Sequence, residues 1–136
     1  MNQTVNISSP LNHLESIIYK KSREINAAYS SCRQALLELA GKNRYEVMTE
    51  TAAIITSLLE PNGIMPVVVG GLAVEIYTMG QYATLDIDIV TQRQDLAVDT
   101  FALLGFLKEV WHWYHPELEM AIEIPVMYWK TQTGRK

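Results

Sequence analysis

Two aspartates set in an otherwise apolar alternation constrain this chain more than any other feature. Residues 85–90 read Leu-Asp-Ile-Asp-Ile-Val, a period-two pattern that puts its acidic and apolar side chains on opposite faces of a β-strand. Asp86 and Asp88 then stand side by side, while Ile87 and Ile89 anchor the strand to a core. Aspartate is poorly suited to strands. Two like charges so close are unfavourable unless water, a proton or a cation offsets them. A solvated edge strand satisfies that condition. A metal site satisfies it too, and needs its acids fixed on a rigid element as they are here. Hard carboxylate oxygens with no cysteine nearby favour magnesium or manganese over zinc. The pair is not a calcium loop, because Ile89 and Val90 occupy positions where an EF-hand needs further ligands and a glycine.

The residues before the pair give it a setting. Val67-Val68-Val69 is a short β-branched run that predicts a buried strand. Gly70 and Gly71 end it, and residues 72–79 predict a short helix. A glycine pair between a strand and a helix lets backbone N–H groups approach a phosphate closely, with the helix N-terminus favouring its charge. A tight turn explains the pair alone equally well, but the order of strand, Gly-Gly, helix and acidic strand is far more specific.

Up to about residue 63 the texture is helical. Ser9 and Pro10 suit an N-cap and a first helical position. Leu11, Leu14, Ile18, Ile25, Ala28, Cys32, Ala35 and Leu39 then follow a heptad seam, with Lys21 as its one misfit, to a stop at Gly41. The seam predicts either a helix lying on its own domain or a homodimer through residues 9–40. A second helix is expected from Asn43, with Glu46 as its capping-box partner, to a break at Pro61-Asn62-Gly63. Beyond the acids, Asp95 is expected to cap a long helix reaching about Lys108. Strands are expected over residues 111–114 and 118–124, and the tail is polar. The expected division is a helical extension over 1–42, an α/β domain over 43–128 and a tail over 129–136.

The composition excludes several classes. A net charge of −4 over 136 residues is no basic platform for nucleic acid, although a metal can still neutralise a nucleotide's phosphates locally. The single cysteine, Cys32, rules out an internal disulfide framework and fits a reducing compartment. No apolar run approaches the roughly 18 residues that cross a bilayer, and the first ten residues lack the features of a secretory signal. A cytoplasmic location without membrane contact is the expectation.

The segment VVVGGLAVEIYTMGQYATLDIDIVT resembles the signature of the DNA polymerase β-like nucleotidyltransferase superfamily, most closely its minimal bacterial group that includes the AbiEii-type toxins. The resemblance spans roughly residues 45–125 and leaves the first helix outside. It implies a small mixed α/β sheet flanked by helices, here with an added N-terminal helix. It further implies that Asp86 and Asp88 ligate magnesium or manganese, that Gly70, Gly71 and Thr84 contact a nucleoside triphosphate, and that a third acid stands on a neighbouring strand. Glu123, within Ala-Ile-Glu-Ile, fits that third position best, as metal ligand and proton acceptor, with Glu119 in reserve. Tyr82 stands where the group often carries arginine. The implied activity is metal-dependent nucleotidyl transfer to a hydroxyl on RNA, protein or a small molecule. The rival is a catalytically inactive domain of the same fold that binds nucleotide or a protein partner, including a second copy of itself.

Among weaker signals, His112 and His115 would face opposite sides of a strand, which favours packing or hydrogen bonding over a shared metal. Trp111, Trp113, Tyr114 and Tyr128 offer surfaces for a base, though such residues more often fill a core. Glu75, in the helix after the glycine pair, could face a nucleotide, but reads more simply as a solvated helix residue.

Overall fold

The computed structural model describes residues 10–79 and 86–125. It is a mixed α/β fold in which helices flank a small five-stranded sheet. The first helix, α1 (Pro10–Leu37), is followed by α2 (Arg44–Leu59). Asn43 caps α2 as its sequence predicts, its side chain accepting from the backbone N–H of Glu46 at 2.9 Å. A 3-10 turn at Glu60–Asn62 closes on Gly63, whose φ of 75° is the left-handed conformation that ends helices.

Strand β1 (Val67–Val69) runs into α3 (Gly70–Tyr77), then come β2 (Asp86–Val90), α4 (Gln94–Leu103), β3 (Leu107–Glu109), β4 (His112–His115) and β5 (Met120–Glu123). The sheet order is β1-β2-β5-β4-β3, with only β2 and β5 parallel. The valine run is therefore an edge strand and not a buried one: Val67 is 53 % exposed, because β1 has a neighbour on one side only. A fully apolar triplet looks the same at an edge as in a sheet interior.

One core joins the elements. Ile87, Ile89 and Ile122 from the sheet meet Met48, Ile55 and Leu59 of α2 and Ala97 and Phe101 of α4. Trp113 of β4 sets its ring against Phe101, with centroids 5.5 Å apart and the rings nearly edge to face. Leu36 and Leu39, at the end of α1 and just beyond it, are buried in the same core. Arg33 fastens α1 further by donating through Nε and Nη2 to the carbonyl of Leu103, at 2.9 and 2.7 Å, where the last turn of α4 leaves a carbonyl unpaired. Among the described residues no helix is long and apolar enough to cross a membrane.

α4 is shorter than the sequence suggests. It ends at Leu103 because the chain turns at Gly105 with a φ of 102°, which frees residues 107–109 to form a strand. Asp95 does not cap α4. Arg93, the residue before the helix, holds that position, and its guanidinium donates to both oxygens of Asp95.

Candidate functional site

Strand register draws one line of residues across the whole sheet. Val69 pairs with Asp88, Asp88 with Glu123, Glu123 with His112, and His112 with Glu109. Residues directly opposite in a ladder project to the same face. The core takes Ile87, Ile89 and Ile122 from the other face, so alternation leaves Asp86, Asp88 and Glu123 together on the face away from that core. The next rung pairs Asp86 with Ala121, a small side chain that leaves room beside the acids.

These carboxyls act on one another. Burial pushes the Asp88 carboxyl above the ordinary aspartate range, and the charge of Asp86 pushes it further. Glu123 is raised first by burial, then by the charges of Asp86 and Asp88 and by a hydrogen bond with Asp86, while His112 opposes the shift. A hydrogen bond between two carboxyls requires a proton on one of them, and Glu123, with its raised affinity, is suited to donate it. Among the described residues, no group of three or more acids, histidines or cysteines is arranged to hold a metal ion. Carboxylate oxygens are the donors a hard divalent cation takes, and the charge of such an ion would offset the repulsion among Asp86, Asp88 and Glu123.

Gly70 is fitted to this cluster. Its φ of 69° lies in the left-handed region, and a Cβ built on it would come 3.1 Å from Asp88 Cγ and closer still to Oδ2. Only glycine combines that backbone with that approach. It opens α3, whose N-cap residue Val69 supplies no side-chain hydrogen bond, so the first backbone N–H groups of the helix start beside the acids without a side-chain cap. Thr84 and Tyr82 lie outside the described residues, as does Tyr128.

The structure separates the two candidates for the third acid. Glu123 ends β5 beside Asp88, but Glu119 sits in the turn before the strand, with a φ of 53° and its carbonyl accepting from Arg44. Glu119 therefore does not share the strand face with Glu123. The strand expected over 118–124 begins only at Met120, after a turn that holds Leu118 and Glu119.

His112 and His115 do face opposite sides. His115 is buried against the ring of Phe106, centroids 5.0 Å apart, and its Nδ1 accepts from the Leu118 N–H. Burial lowers its affinity for a proton, although Glu117 pulls the other way. His112 joins the acidic row beside Glu123, with its Nε2 3.1 Å from Glu109 Oε1. Its place in the row is set by β3–β4–β5 pairing, and no local signal in the sequence gives it. Glu75 is buried and not solvated, and its Oε1 has no hydrogen-bond partner among the described residues. No family model matches the chain, and neither does any curated protein or solved structure.

Proposed function

We propose that the chain transfers a nucleotidyl group from a nucleoside triphosphate to a hydroxyl acceptor at Asp86, Asp88 and Glu123. One observation carries the reading: Asp88 lies between Glu123 and Gly70, so the acids stand directly beside the uncapped start of α3. A magnesium or manganese ion held by the three carboxylates would neutralise charge on the phosphates. The backbone N–H groups at Gly70 and Gly71 hold the terminal phosphates, aided by the helix N-terminus. Glu123 takes the proton from the attacking hydroxyl. The acceptor oxygen bonds to the α-phosphorus, the bond from that phosphorus to the bridging oxygen breaks, and pyrophosphate leaves with the electron pair.

Amide shifts followed by NMR test this reading. Magnesium with ATP, GTP, CTP or UTP should move Gly70, Gly71 and the amides of β2, and an Asp86→Ala/Asp88→Ala protein should lose the response. Unmoved amides at millimolar ligand would overturn it.

A second reading, in which a homodimer is the function and the sheet is scaffold, is favoured by α1. The seam that packs from Tyr29 through Cys32 to Leu36 continues backward as Ile25, Ile18 and Leu14, yet Ile18 is 64 % exposed and its two neighbours along the seam about half. An amphipathic helix gains most of its stability from what its apolar face packs on, and a second α1 supplies such a surface.

A further inference from the structure

The helix α1 is 28 residues long, yet it joins the body only from Tyr29 onward. Every residue from 12 to 28 is exposed. This free part, residues 10–28, is about 28 Å long at the α-helical rise, and a helix of that size with nothing packed on it is marginal in water. Leu14, Ile18 and Ile25 line one side of it. At 3.6 residues per turn that side is continuous with the one by which Tyr29, Cys32 and Leu36 meet the body.

That continuity decides what fits on the free part. A second α1 laid parallel and in register runs on past residue 28, into the side that the body already takes. Both copies would bring their bodies to that same side, and Lys21 would meet its own image in one layer. A second α1 laid antiparallel ends where the body begins. With Leu14 of one copy opposite Ile25 of the other, Pro10 reaches the level of Tyr29, and the partner helix and the body cover the stripe end to end without overlap. Lys21 then falls opposite Ile18 of the second copy, where its aliphatic stem covers the isoleucine and its ammonium stays in water. The free part of each copy is thus the length that the other needs, and carries a stripe that matches it.

We infer that two copies of this chain pair through residues 10–28 of α1 as an antiparallel two-helix rod, with Leu14 of each copy against Ile25 of the other and the two α/β bodies at opposite ends. This rests on the homodimer reading above and fixes the direction and register which that reading leaves open. The two-fold axis crosses the rod between Tyr19 and Lys20. The interface is therefore the same patch on both copies, and pairing closes at two chains.

Cysteine cross-linking of the full chain separates direction from association. The background is Cys32→Ser, since Cys32 packs on the body and lies outside the rod. Leu14→Cys and Ile25→Cys proteins, mixed and mildly oxidised, should give a covalent dimer with one chain of each, because the two positions share a layer. Either variant alone should give little, its two cysteines standing about 16 Å apart along the rod where a disulfide spans roughly 7 Å at most between Cα atoms. A covalent dimer from either variant alone, in the yield of the mixture, would overturn the antiparallel arrangement. A nitroxide at Ser30, off the stripe, leaves the seam intact: pulsed electron paramagnetic resonance should find the pair about 30 Å or more apart, whereas about 20 Å, as from parallel helices side by side, would overturn the arrangement. A doubled mass with neither the mixed cross-link nor the long separation would place the interface elsewhere and overturn this inference alone. A single-chain mass for the wild type at about 100 µM would overturn the homodimer reading and this inference with it.

Discussion

Gly70 and Asp88 occupy each other's space: a Cβ on the glycine would sit 3.1 Å from the aspartate's Cγ, with one carboxylate oxygen nearer still. The strand that carries the acid and the turn that precedes α3 are thus fitted together through the absence of a side chain. Gly70→Ala should destabilise the protein by about 2 kcal/mol, since it also meets a left-handed backbone. Asp88→Ala removes the obstructing carboxylate, so the double variant should recover at least about 0.5 kcal/mol of the summed losses. Urea unfolding of the four proteins in a cycle measures this, and simple additivity would refute the fit.

The raised proton affinity of Asp88 and Glu123 has a definite sign. A carboxyl whose folded value lies above its unfolded one binds its proton more tightly in the folded state. Metal-free stability from these groups is therefore present at low pH and falls as pH rises from the ordinary carboxylate range through the raised values. Asp88→Asn removes part of that burden and should raise metal-free stability near neutral pH by about 0.5 kcal/mol. Magnesium should relieve the same repulsion in the wild type, adding about 1.4 kcal/mol at ten times its dissociation constant. Chelator should remove that gain, and Asp88→Asn should lack most of it. Thermal melts with magnesium or chelator from pH 4 to 8 carry all of these comparisons.

His115 works in the opposite direction. Its folded proton affinity is lowered by burial, so below the ordinary imidazole value the unfolded chain takes up a proton that the folded chain resists. This contribution is complete above that value and is lost as pH falls through it toward the depressed folded value. Replacing His115 with Gln should flatten the slope of stability as pH falls below about 6.5, whatever it costs in packing against Phe106. An NMR titration placing His115 at or above the ordinary value would contradict the burial effect.

The exposed seam of α1 gives a prediction independent of the acids. Light scattering should report a mass twice that of one chain. Ile18→Glu/Ile25→Glu should return it to one chain with the melting of the body unchanged, because those residues lie before the packed part of the helix at Tyr29. A single-chain mass for the wild type at about 100 µM, well above the micromolar affinity of a weak dimer, would remove the homodimer reading.

How far the sequence foretells this arrangement depends on the range of the interaction involved. Asp86, Asp88 and the glycine pair are legible because local rules determine them: alternation fixes the shared face, and glycine marks the turn. The cap at Asn43 is legible for the same reason. The edge position of β1, the strand at Leu107–Glu109 and the place of His112 depend on pairing between distant segments, which a run of residues does not encode locally. Glu119 shows a subtler failure. Its alternation with Glu123 is genuine in the sequence, but a left-handed residue at the turn breaks the period just before the strand begins.

The sheet order has a consequence in time as well as in space. β5 is the last described strand in the chain, yet it lies at the centre, between β2 and β4. A chain emerging from the ribosome presents β1 with β2, and β3 with β4, before the strand that joins the two pairs exists. Until β5 inserts, the two ribbons are unjoined, their inner edges are open to other chains, and Glu123 is not beside Asp88. Completion of the sheet and assembly of the acidic row are thus a single event, so an unfinished chain carries the risk of aggregation before its acids have met.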